Sequence, residues 1–113
     1  MEFLKNYING ELVAPSSGRY IDNYEPATGK VYSQIPDSDE VDVQSAVESA
    51  KNAFESWKNL SIEQRHDHLI NVSRLIEQRI DEFALAESKD NGKPFKLAQR
   101  VDIPRAVSNF KFY

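Results

Sequence analysis

Apolar and polar positions along the chain change their period near residue 38. Before that point the pattern is short and strand-like. Tyr7-Ile8 and Leu12-Val13 flank Asn9-Gly10, and Asn and Gly are the residues that accept positive φ at both central positions of a type I′ turn. A hairpin is predicted there. Residues 14–19, with Pro15, Ser16, Ser17 and Gly18, read as a loop. Residues 20–24 and 31–35 then alternate well enough to form two strands, with Pro26-Ala27-Thr28-Gly29 turning the chain between them. Residues 1–36 are therefore expected to be a small antiparallel β unit.

After Pro36 the spacing becomes helical, and residues 39–113 read as four to five helices. Val43, Ala46, Val47, Ala50, Ala53, Phe54 and Trp57 form one stripe; Asp39 is its N-cap, Glu40 and Asp42 suit the positive end of the dipole, and Asn59 is the stop. Ser61-Ile62-Glu63-Gln64 matches a capping box and opens a second helix, with Leu69, Val72, Leu75, Ile76 and Ile80 as its apolar face. Asp81 is the expected cap of a third helix, which runs through Phe83 and Leu85 to a left-handed stop at Gly92. Pro94 suits the first turn of a short fourth helix to about Val101, and Asp102 with Pro104 signals a new N-terminus after it. The fold class is α+β: antiparallel hairpins followed by helices, in one partial domain.

The last helix runs into Phe110-Lys111-Phe112-Tyr113 with no glycine and no polar tail. An ending with three aromatics and little chain to cover them reads as a cut chain, whose exposed apolar faces would favour self-association. No repeat, low-complexity tract or linker divides the sequence.

Composition narrows what such a chain does. With 113 residues, 40% hydrophobic and 28% charged, it belongs among ordinary globular proteins. Eighteen acids against fourteen bases give a net charge of −4, and the bases are scattered, so no face suits a nucleic-acid backbone. No apolar run approaches the length of about 20 residues that spans a bilayer. The cytoplasm is the expected compartment.

The chain holds no cysteine, which removes disulfides, thiolate metal sites and a cysteine nucleophile together. No Gly-x-Ser-x-Gly elbow exposes a serine. His66 and His68 are two apart on a predicted helix and so point to different faces, where a shared metal needs a spacing of three or four. The four glycines (Gly10, Gly18, Gly29 and Gly92) are each explained by a turn or a helix end, leaving no cradle for nucleotide phosphates. The carboxylates of the middle helices read as a solvated face. Neither a catalytic nor a cofactor-binding residue emerges.

A family pattern is nonetheless present. Tyr24-Glu25-Pro26-Ala27-Thr28-Gly29-Lys30-Val31 resembles the Asn-Pro-(Ala/Ser)-Thr-Gly-(Glu/Lys)-Val turn near the start of aldehyde dehydrogenases, with Glu25 in place of the usual Asn. In the same order come Ile8-Asn9-Gly10-Glu11, the Ala-x-x-Ala-Phe-x-x-Trp ending of the first helix, Arg65, and Lys89-Asp90-Asn91-Gly92-Lys93-Pro94. Each landmark alone is common; their ordered run covers nearly the whole chain. Residues 87–93 and 102–107 most resemble the branch acting on 2-aminomuconic and 2-hydroxymuconic semialdehydes.

The resemblance implies an α/β enzyme in which this segment starts the cofactor-binding domain. In that family a cysteine thiolate attacks an aldehyde, hydride leaves to NAD(P)+, and a glutamate activates the water that releases the acid. By the resemblance those groups, the cofactor loop and the oligomerisation arm belong to later sequence, so this chain alone is expected to be inert and its partner to be the remainder of the enzyme. The resemblance also points to Arg105 as a contact for a substrate carboxylate, a task suited to a planar guanidinium; a first-turn surface arginine is the plainer alternative. It further implies a structural monovalent cation near Asn23, Tyr24 and Asp102, although helix-start grounds favour Asp102 as a cap. The competing reading from the residues alone is a free-standing interaction module that uses its aromatic C-terminal face.

Overall fold

The computed structural model describes residues 1–113. The chain forms two compact units, one of residues 1–24 and 29–59 and the other of residues 25–28 and 60–113.

The first unit carries the strands β1 (Glu2–Phe3), β2 (Asn6–Ile8), β3 (Glu11–Val13), β4 (Tyr20–Glu25) and β5 (Lys30–Pro36), followed by the helix α1 (Glu40–Trp57). The Asn-Gly hairpin forms as its sequence predicts: β2 and β3 pair antiparallel, Ile8 opposite Glu11, and Asn9 and Gly10 take φ of 53° and 79°. In the larger sheet β5 lies between β1 and β4. The four-residue turn between β4 and β5 leaves no length for a crossover, which makes them a hairpin.

One pairing departs from the expected all-antiparallel unit. β1 runs parallel to β5, with Glu2 opposite Ser33 and Phe3 opposite Gln34, and Leu4 donates its N–H to the Gln34 carbonyl at 2.8 Å. A strand of two residues has no readable period, and only its long-range partner defines it. Phe3 also sets its ring edge-on to Tyr20 at 5.0 Å.

α1 begins where Asp39 accepts from the N–H groups of Val41 and Asp42, and it closes where the Asn59 amide donates to the Glu55 carbonyl at 2.8 Å. Its apolar stripe finds no cover in the chain. Val43 is 59% exposed and Phe54 55%, whereas the helix buries only Asp42. With Pro15, Ser33 and Asp42 as its buried residues, the first unit has almost no hydrophobic core.

The second unit is helical, with α2 (Ile62–Gln78), α3 (Ile80–Asn91), α4 (Phe95–Leu97) and α5 (Ile103–Phe112). Its core is Ala84, Ala98 and Ile103, backed by Ile76, Ile80 and Phe95, and Val107 is buried as well. The capping box of α2 is complete: Ser61 Oγ accepts from Gln64 N, and Gln64 Oε1 accepts from Ser61 N. The inward face of α2 differs from the apolar stripe. Ser73 is fully buried, its hydroxyl satisfied by the Ile70 carbonyl of its own helix at 2.9 Å, while Val72 and Leu75 lie exposed.

Two expected caps are corrected. Asp81 lies inside the first turn of α3, where it accepts from Gln99 Nε2 at 2.6 Å. The break between α2 and α3 falls instead at Arg79, with φ −124° and ψ 27° and no side-chain cap.

Nor does Asp102 start a new helix: it has helical φ and ψ of −70° and −49° and no capping hydrogen bond. α4 continues into α5 through a π-helical turn, Ala98–Asp102, in which the Ile103 N–H reaches back to the Ala98 carbonyl. Pro104 explains the widening. A proline has no N–H to offer and its ring crowds the carbonyl four residues back, and a wider turn just before it relieves both faults without ending the helix.

Candidate functional site

In the second unit, a group of charged and polar side chains gathers where α3 ends and the π turn begins. Gly92, at φ 78°, closes α3 and donates its N–H to the Ser88 carbonyl at 3.0 Å. This left-handed residue turns the backbone so that Lys93 projects back over the helix end. Ser88 Oγ donates to the Lys93 carbonyl at 2.6 Å, Lys93 N donates to Asn91 Oδ1 at 2.8 Å, and Asn91 Nδ2 donates to Glu87 Oε1 at 2.6 Å.

The Lys93 ammonium stands 2.7 Å from Asp102 Oδ2 and 3.6 Å from Glu87 Oε1. Asp102 Oδ2 is closed off from solvent, with the Lys93 ammonium in direct contact with it. Asp102 first, by hydrogen bonding and charge, and Glu87 after it hold the Lys93 ammonium above the ordinary lysine range, against partial burial that acts the other way. The carboxylate expected to cap a helix is thus engaged by a lysine.

Arg105, the candidate for a substrate carboxylate, lies in the first turn of α5 with an exposed side chain. No hydrogen bond or ion pair within the chain ties it down, which leaves its guanidinium available. His66 and His68 are both exposed on α2.

In the first unit, Asn23 sits on β4 and donates from Nδ2 to Tyr32 Oη at 3.0 Å and Ser33 Oγ at 3.2 Å. Tyr24 beside it is 55% exposed. Asp42 is the buried acid of this unit at 8% exposure, and its Oδ1 accepts from Ser16 N at 2.9 Å. The bond from the Ser16 backbone holds the Asp42 carboxyl below its usual value despite burial, with smaller help from the Ser16 and Ser38 side chains. A cleft of about 200 Å³ beside it is lined by Asn6, Tyr7, Ile8, Ser38, Asp42, Val43 and Ala46. That is below the roughly 300–1,000 Å³ usual for a ligand pocket.

The glycines test whether the chain could hold a nucleotide. Gly10, Gly18 and Gly29 have φ of 79°, 69° and 66°, and a Cβ on any of them would meet nothing within 4 Å, so each serves its turn and not a close approach. None leads from a strand into the first turn of a long helix, the arrangement that cradles phosphates.

The sequence model of the aldehyde dehydrogenase family matches residues 12–113. The chain belongs to the aldehyde dehydrogenase family. Among relatives of this aldehyde dehydrogenase chain is the human 2-aminomuconic semialdehyde dehydrogenase, 46% identical over 110 residues, a stretch covering 97% of this chain and 22% of the relative. The 2-hydroxymuconic semialdehyde dehydrogenase of a Pseudomonas species is 38% identical over 114 residues, covering 100% of this chain and 24% of the relative. An aldehyde dehydrogenase from Bacillus cereus, solved as a complex with NAD+, superposes with a TM-score of 0.95 at 36% identity over 99% of this chain and 23% of that one. The chain therefore spans about a fifth of the length of its relatives. No helix in it is long and apolar enough to cross a membrane.

Sequence alone did not single out Glu87 and Lys93 as partners of Asp102. The turn Asn91-Gly92-Lys93-Pro94 was the available signal, since a left-handed glycine followed by a proline fixes where the intervening side chain goes.

Proposed function

We propose that this chain serves as a structural segment of an NAD(P)-dependent aldehyde dehydrogenase that oxidises a muconic-type semialdehyde to the acid, with the cysteine, base and cofactor loop supplied by sequence outside these 113 residues. The supporting observation is 46% identity to a 2-aminomuconic semialdehyde dehydrogenase across 97% of the chain. The chain has no cysteine, and its glycines offer dinucleotide phosphates no cradle. Its own part is to build and brace, and we place the working enzyme in the cytoplasm.

The test is NAD-dependent oxidation of 2-aminomuconic and 2-hydroxymuconic semialdehydes by this chain and by a version extended through the downstream reading frame. Activity confined to the extended protein is expected. Turnover by the 113 residues alone would overturn the proposal.

Within that enzyme we propose that Arg105 meets the substrate carboxylate. Its exposed, unpaired guanidinium supports the assignment, and Arg105→Lys in the extended protein should raise KM for a carboxylate-bearing semialdehyde more than for a neutral aldehyde of similar size. The monovalent cation that the resemblance attaches to Asn23, Tyr24 and Asp102 is likewise a proposal. At Asp102 the cation would share its carboxylate with Lys93, so thermal stability in potassium against choline is the measurement to make. Self-association of the isolated chain is a third, supported by the uncovered stripe of α1; sedimentation at several concentrations tests it.

A further inference from the structure

The chain contains two Asn-Gly pairs, Asn9-Gly10 and Asn91-Gly92, and all four residues are exposed. Asn-Gly is the sequence most open to spontaneous loss of the side-chain amide, because glycine puts no side chain in the way of its own backbone nitrogen. In that reaction the Gly nitrogen gives up its proton and attacks the Asn Cγ, ammonia leaves, and a cyclic imide remains. Water then opens the ring at either carbonyl to give aspartate or isoaspartate. Water is the only co-reactant. Exposure alone would make the two pairs equally reactive; their hydrogen bonds do not.

At Asn91 both partners of the reaction are held. Nδ2 donates to Glu87 Oε1 at 2.6 Å and Oδ1 accepts from Lys93 N at 2.8 Å, which fixes the amide that must rotate to be attacked. The attacking nitrogen, Gly92 N, is itself donating to the Ser88 carbonyl at 3.0 Å. Reaction there requires the end of α3 to open first. At Asn9 neither restraint exists: its side chain makes no hydrogen bond, and Gly10 N sits at the tip of a two-residue turn whose ladder bonds run through Ile8 and Glu11. The hairpin it closes joins strands of three residues each, too short to hold the tip rigid.

We propose that Asn9 is a site of spontaneous deamidation in the folded protein and that Asn91, the same dipeptide, is protected by its Glu87–Lys93 latch. Conversion at position 9 adds one negative charge to the net −4. The isoaspartate product also inserts a backbone methylene into the turn, which disrupts the register of β2 on β3.

The experiment is incubation of the chain in neutral buffer with and without urea, followed by peptide mass mapping of amide-to-acid conversion at each site. Under native conditions Asn9 should convert at least about tenfold faster than Asn91, the factor set by the opening of the helix end, and in urea the two rates should converge. Equal native rates, or a faster Asn91, would overturn the proposal. Glu87→Ala supplies the second arm: it should raise the rate at Asn91 and leave Asn9 unchanged, and an unaltered Asn91 rate would show that the latch does not protect.

Discussion

Lys93 Nζ lies 2.7 Å from Asp102 Oδ2, joining the turn after α3 to the last residue of the π turn. Both side chains are more than two-thirds covered, where losing one partner leaves the other charge poorly solvated. Lys93→Met and Asp102→Asn should each lower the thermal midpoint, and the double variant should lose less than the sum of the two, as thermal circular dichroism of all four proteins would register. The pH dependence has a definite sign. Because the folded-state pKa of Lys93 is raised, the stabilisation is complete below the ordinary lysine value and disappears as pH climbs through the raised one. An alkaline fall in midpoint should be present in the parent protein and absent in Lys93→Met.

Asp42 gives the opposite dependence. Its folded-state pKa is lowered by the Ser16 backbone bond, so it stabilises above the ordinary carboxylate value of about 4 and the gain is lost as pH falls through the depressed value. Asp42→Asn should lower the midpoint at neutral pH and flatten the acid limb of the stability curve. A variant whose acid limb matched the parent's would deny Asp42 this role.

Gly92 should resist substitution for two separate reasons. At φ 78° a side chain is strained, and a Cβ there would come within 3.1 Å of the Pro26 Cβ. Gly92→Ala is expected to cost about 1–2 kcal/mol in urea unfolding, more than the left-handed conformation alone.

Ser61 anchors the reciprocal pair of bonds that opens α2, at 3.1 and 2.9 Å. Ser61→Ala should cost about 1 kcal/mol, and adding Gln64→Ala should cost little more, since the box is already open. Helicity by circular dichroism and the urea midpoint report it together.

Local chemistry was the legible part of this fold. Asn9-Gly10, the Asp39 cap, the Ser61–Gln64 box and the Gly92 stop are each decided within four residues, and all stand where the sequence puts them. Contacts between distant segments were not legible. Glu2-Phe3 becomes a strand only because Ser33-Gln34 is beside it, and Ser73 is buried on a helix that packs against α5, which an apolar stripe cannot reveal. Asp81 and Asp102 show the same limit from the other side: an acid at a helix start reads as a cap, yet each is taken by a partner on another segment, Gln99 and Lys93. For the candidate site, Arg105 and Asp102 came from family likeness, while the Glu87–Lys93 contribution required the turn to be seen.

The π turn of Ala98–Asp102 amounts to one residue more than an α-helical path would use. Removing a single residue from it would restore regular α-helical winding and leave the facing of Ile103, Arg105 and Val107 nearly unchanged, because the wider turn absorbs one residue within the helix. What the deletion would take away is the relief at Pro104, whose ring would then press on the carbonyl four residues back. The extra residue is therefore a spacer that lets a proline ride inside a continuous helix, and a deletion there should bend the helix at Pro104 while Pro104→Ala in the shortened chain straightens it.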